Sequence, residues 1–166
     1  MEISIKSFIL FGTVVLTGLS AGLFYAWSVS VIPGVQKIAD PVYLETMQSI
    51  NRAILNPAFF LIFFGSVLFL SISSIYEFHA SKITFWLLLS SSIFYLVGTV
   101  GVTALGNVPL NDQLDALELV RMKAGKMAEF RKFYESNWNR LHLIRTVFAV
   151  ISFSLTVLAV ITDSKH

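Results

Sequence analysis

The chain contains no cysteine. Disulfides, iron–sulfur clusters and thiolate metal sites are therefore excluded. Charge is also sparse: charged residues make up 13% of the sequence, and the formal net charge is only +2. Bases and acids are interleaved rather than massed, so no nucleic-acid footprint is present. Nucleotide-binding glycine patterns are missing, as are internal repeats and low-complexity runs. The 166 residues read as one domain.

Apolar residues are abundant instead. They form 55% of the chain, and the mean hydropathy is +0.75. A soluble domain has no means of hiding that much apolar surface. A membrane span needs about 20 consecutive, mostly apolar residues. Residues 8–32, 57–76, 83–106 and 141–161 each qualify. The fold class expected is all-α, an integral membrane four-helix bundle with the lipid bilayer as its surroundings. The first run is too long for a cleaved signal sequence, despite the small residues Ser20, Ala21 and Gly22. Lys and Arg concentrate in loops one and three. The positive-inside rule then puts these loops in the cytoplasm and both termini outside, in a plasma (inner) membrane.

Pro33-Gly34 is expected to end span one, and Gly106-Asn107-Val108-Pro109 span three. Asp40-Pro41 should open an amphipathic helix in loop one, with Asp40 as its cap. Its apolar stripe is Met47, Ile50 and Ile54; its polar stripe is Gln48, Arg52 and Asn56, flanked by Asn51. Such a helix suits either a membrane surface or the wall of a pocket. Asn56-Pro57 repeats the cap-then-proline pattern, although one kinked helix from residue 41 to 76 is equally allowed. Loop three, with a helix capped by Asn111, should form a helical cap whose charges are mostly solvated. Glu77 and His79 belong to a short loop two, and the tail ending at His166 should be unstructured. Gly18 and Gly22 form a small-xxx-small face, expected to meet Ser91, Tyr95 and Gly98 of span three or to support a homo-oligomer.

The start of span four is the richest stretch in chemistry. Trp138, His142 and Arg145 fall on one helix face, with Asn139 beside them. Such groups belong in a protein interior or a wet pocket, not in lipid. Asn51, Arg52, Asn56, Asn107 and Asn111 come from other segments at about the same depth. Tyr25 either joins them or anchors at the membrane interface. No Asp or Glu falls within the four runs, which argues against a cation-coupled exporter. One histidine without acids or thiols is a poor zinc or di-iron site, though a single axial histidine can hold a haem. The group suits a flat, apolar, weakly acidic small molecule. His142 would be its base and the arginines its oxyanion partners. Each polar residue also has a structural reading, as a helix cap, a headgroup anchor or, for His142, an interhelical strut.

Four stretches carry a resemblance. They are Gly22-Leu23-Phe24-Tyr25-Ala26-Trp27-Ser28 with Ile32-Pro33-Gly34, then Met47-Gln48-x-Ile50-Asn51-Arg52 with Asn56-Pro57. Asn107-x-Pro109-x-Asn111 and Trp138-Asn139-x-x-His142-x-x-Arg145 follow in the same order. Together they resemble the anthrone oxygenase-like membrane family. The resemblance implies oxidation of a lipophilic anthrone or quinone-like aromatic with O₂, without metal, flavin or other cofactor. It implies His142 as base, and Arg52, Arg145, Asn51 and Asn139 as oxyanion and orienting groups. The alternative reading is a non-catalytic membrane accessory or binding subunit.

Overall fold

The computed structural model describes residues 4–163, and the tail at 164–166 lies outside the described residues. Five helices account for nearly all of it. They are α1 (Ile5–Val35), α2 (Asp40–Ala53), α3 (Pro57–Glu77), α4 (Lys82–Asp115) and α5 (Ala124–Asp163). All but α2 are long and apolar enough to cross a membrane. Each of these four packs on its chain neighbours, and α5 closes the ring against α1. The result is an all-helical four-helix bundle.

Two helices run past their expected ends. Pro33 and Pro109 lack an N–H and crowd the carbonyl four residues back. Those carbonyls belong to Val29 and Leu105, inside the wide π-helical stretches Trp27–Val31 and Thr103–Asn107. The π turns accommodate both prolines, so α1 continues to Val35 and α4 to Asp115. Asn111 therefore lies within a helix rather than capping one. Helix α5, with 40 residues, is about 60 Å long. Against a hydrocarbon core of about 30 Å, roughly half of it stands clear of the membrane.

That free half builds a cap with α2 and the end of α4. Its core is Tyr43, Leu44, Met47, Leu110, Leu114, Leu119, Tyr134 and Trp138. Helix α2 thus lies on protein rather than flat on lipid. Asp40 is its first residue, not its cap. Its carboxylate takes Nη1 of Arg131 at 2.8 Å, and the same guanidinium donates to the carbonyls of Ile38 and Gln36. Arg131, assigned to a solvated face from sequence, is instead a clasp on the α1–α2 loop. It also lies 4.4 Å from the ring centroid of Tyr43, whose phenol pKa burial raises. Gln48 Nε2 donates to the carbonyls of Leu114 and Leu117 where α4 ends. Asn56 Oδ1 accepts from the Phe59 N–H at 3.0 Å and starts α3, so no continuous helix joins α2 to α3.

The glycine faces find other partners than expected. A Cβ on Gly18 would press on Phe153, and one on Gly98 would fall within the Phe148 ring. Helix α5, not a face-to-face pairing of α1 with α4, fills this space. One link does cross the bundle diagonally, between Ser20 Oγ and Tyr95 Oη at 2.7 Å. At the end opposite the cap, α3 extends to Glu77. Its carboxylate is fully buried and pairs with Lys6 at 2.9 Å. Lys6 also binds Asp163. Glu77 is thus the buried last residue of α3 and a member of a three-helix ion cluster, not a residue of loop two.

Candidate functional site

A cavity of about 190 Å³ opens where the cap meets the bundle. Every helix contributes. Leu23, Phe24 and Trp27 come from α1, and Ile50, Asn51, Arg52, Ile54 and Leu55 from α2 and its end. Phe59 comes from α3, and Thr103, Val108, Asn111, Asp112 and Asp115 from α4. Trp138, His142 and Arg145 of α5 complete the wall. Most of these side chains are apolar, with polar groups concentrated at the deep end and at the rim.

Arg145 dominates the deep end. It is 8% exposed and has no carboxylate partner among the described residues. Its Nε and Nη2 donate to Nδ1 of His142 at 3.2 and 3.0 Å, and Nη1 donates to Thr103 Oγ1 at 3.3 Å. Its Cζ lies 4.8 Å from the Phe24 ring centroid and 5.1 Å from that of Trp138. Aromatic faces soften the loss of water but do not neutralise the charge. A buried cation without a counter-ion is costly.

His142 is fixed from both sides. A guanidinium only donates, so Nδ1 must carry the lone pair. Around Nε2 stand the Phe24 carbonyl at 3.2 Å, Ser28 Oγ at 3.0 Å and Thr146 Oγ1 at 3.3 Å. Both hydroxyls already donate to helix carbonyls, of Phe24 and His142 respectively. Nε2 therefore carries the hydrogen, and the ring is the neutral Nε2–H tautomer. Both nitrogens are engaged within the chain. In this arrangement neither offers a free lone pair to a substrate proton or to a haem iron.

The Trp138 ring stacks on that of His142, with centroids 5.1 Å apart and planes within 7°. Its Nε1 donates to Asn111 Oδ1 at 2.8 Å. Tyr134 Oη donates to the same oxygen at 3.1 Å and accepts from Asn51 Nδ2 at 3.0 Å. This chain of amides and rings locks α2, α4 and α5 around the cavity. At the rim, Arg52 Nε donates to Asp115 Oδ1 at 2.6 Å. The Arg52 charge is thus already matched.

Six of the residues singled out from sequence line one cavity: Asn51, Arg52, Asn111, Trp138, His142 and Arg145. Four others do not. Asn107 is buried behind the wall, with Nδ2 on the Trp138 carbonyl. Asn56 is spent as the α3 cap. Asn139 is half-buried away from the lining. Tyr25, 59% exposed, points out of the bundle, because the helix turn that brings Phe24 inward turns its neighbour away. Sequence reasoning missed Ser28, Thr103, Thr146, Tyr134, Trp27, Asp112 and Asp115. Tyr134 stands one turn before Trp138, a spacing that could have marked it. The Trp27 ring lines the cavity, and its Nε1 is a buried donor with no acceptor among the described residues.

The family model described as anthrone oxygenase matches residues 49–155. The chain belongs to the anthrone oxygenase family. The match runs from α2 through most of α5 and takes in every cavity residue except those of α1. No curated protein and no solved structure matches the chain. Among the described residues, no group of three or more His, Cys, Asp or Glu side chains is placed to hold a metal.

Proposed function

We propose that this anthrone oxygenase family member oxidises a flat, lipophilic aromatic ketone of the anthrone type to a quinone with O₂. The observation that carries the reading is Arg145, a guanidinium sunk among aromatic rings with no carboxylate to neutralise it. An enolate oxygen is a fitting partner, because it appears only once a carbon-bound proton has left. Stabilisation that develops with the charge accelerates the step rather than merely tightening binding. His142 holds the guanidinium through Nδ1, and the stacked Trp138 offers a face to the substrate ring. The Trp27 indole adds a donor in search of an acceptor.

The overall chemistry balances without a further reductant. The doubly benzylic CH₂ loses a proton, and the carbanion reduces O₂ and forms a C–O bond. The resulting hydroperoxide loses water to leave the second carbonyl. The excess of Lys and Arg in the cap end and its loops favours a cytoplasmic cap, with the substrate arriving from the bilayer.

The test is quinone formation, followed by absorbance, when purified protein meets an anthrone under O₂. Arg145→Met is expected to lower kcat/KM by about 100-fold or more while helix content is retained. Undiminished turnover by this variant overturns the reading. A second reading, a binding subunit without turnover, draws on the engaged lone pair of His142. It requires anthrone to quench tryptophan fluorescence saturably while no quinone appears.

A further inference from the structure

If His142 has no free lone pair, some other cavity group must remove the proton. We infer that Asp112, on the cavity rim, is the base of this reaction; the inference rests on the oxygenase reading above. The other polar groups that line the cavity are amides or are already engaged. Asn51 and Asn111 are amides, and the Asn111 oxygen already accepts from Tyr134 and Trp138. The Thr103 hydroxyl donates to the Thr99 carbonyl at 2.7 Å and accepts from Arg145. Asp115 is bound by Arg52 at 2.6 Å. Asp112 is the remaining carboxylate of the lining, and it has no ion-pair partner among the described residues.

Its position also matches the substrate. In an anthrone the carbonyl carbon and the CH₂ carbon face each other across the central ring. A molecule whose oxygen meets Arg145 at the deep end presents its CH₂ towards the rim. Asp112 sits there, one residue beyond the amide that anchors Trp138. The buried Arg145 and the exposed Asp112 thus line one largely apolar cavity at different depths.

The Asp112 carboxylate takes a CH₂ proton, and the C–H electron pair spreads to the oxygen beside Arg145. The carbanion gives two electrons to O₂ in succession, and its carbon bonds to the near oxygen. The Asp112 carboxylic acid returns its proton to the peroxide. Loss of the second carbon-bound proton breaks the O–O bond, releases water and forms the new C=O. In sum, one CH₂ and one O₂ become one C=O and one H₂O.

The experiment compares wild type, Asp112→Asn, Asp112→Glu and Asp112→Ala, using anthrone with hydrogen or deuterium at the methylene carbon. Asp112→Asn is expected to lose about 100-fold or more in kcat with little change in KM, the range for a positioned general base. The deuterium effect on kcat should grow, because proton removal becomes slower. Asp112→Glu should recover part of the rate, and added formate should restore part of it to Asp112→Ala. An active wild type with full kcat and an unchanged isotope effect in Asp112→Asn overturns the base assignment alone. A wild type that yields no quinone overturns the oxygenase reading and this inference with it.

Discussion

The cap and the bundle have different interiors: both bury apolar side chains, in the bundle Leu10, Phe63, Leu70 and Leu88 among them, but the bundle adds a set of buried hydroxyls. The cap buries Tyr43, Leu44, Met47, Leu114, Tyr134 and Trp138, with charged residues on its surface. The bundle buries Thr13, Thr17, Ser20, Ser66, Ser73, Ser91, Ser152 and Thr156, and turns Phe8, Phe11, Leu61, Phe64, Trp86 and Val97 outward. One chain therefore uses two rules of assembly. In water, burying apolar area drives packing. In lipid that drive vanishes between helices, and close contact and hydrogen bonds take over. The cavity lies on the seam, where Phe24, Phe59, His142 and Arg145 of the bundle meet Asn51, Asn111 and Trp138 of the cap. The difference teaches that the seam can hold aromatic faces and a buried charge side by side, as it does around Arg145.

The largest break in this comparison should come from the cap. Leu114 is fully buried there. Leu114→Ala removes apolar contacts and leaves a void, at a cost of about 2–5 kcal/mol. Denaturant unfolding of detergent-solubilised protein, followed by tryptophan fluorescence and circular dichroism, measures this directly. Trp138 is in the same core, so its emission should report loss of the cap. A loss below about 1 kcal/mol would mean that the cap does not behave like a soluble core, and the contrast would fail.

A smaller effect should come from close approach inside the bundle. Gly98 faces the ring of Phe148, with no room for a Cβ. Gly98→Ala forces ring or helix to move, and overpacking of this kind costs about 1–3 kcal/mol. The double variant Gly98→Ala with Phe148→Leu should recover part of the loss. If it does not, the strain lies elsewhere than in this contact.

The sequence made the bundle legible because the length of an apolar run is a direct reading of bilayer thickness. The Trp138, His142 and Arg145 face was legible for a similar reason, since helical period alone aligns them. Ends were harder. Proline reads as a stop, yet at Pro33 and Pro109 the π turns just ahead absorb it, and nothing in the residues announces a π turn. Asp112 and Asp115 were hidden for the same reason: with α4 read as ending near Gly106, they seemed to belong to a solvated loop. Tyr25 misled because a tyrosine near a helix end suits a headgroup as well as a pocket. Glu77 was misplaced because its partner, Lys6, is remote in sequence. Hydroxyl pairs were illegible altogether, because a Ser or Thr in a helix can always turn back to its own carbonyl four residues earlier.

That last ambiguity yields the finest test of the comparison. Ser91 Oγ bonds Ser152 Oγ at 2.8 Å and Thr156 Oγ1 at 2.9 Å, joining α4 to α5 in the middle of the bundle. In a soluble core, three buried hydroxyls deprived of one partner would be expensive. In a membrane the separated helices also find partners, and such interhelical bonds average about 0.6 kcal/mol. Thr156 already donates to the Ser152 carbonyl at 3.0 Å, and Ser152 to that of Ser91 at the same distance. Each remaining hydroxyl therefore keeps a partner after Ser91→Ala. The expected loss is below about 1 kcal/mol by the same unfolding measurement, several-fold less than for Leu114→Ala. A loss as large as the cap variant's would show that hydrogen bonds, rather than close packing, hold the spans together.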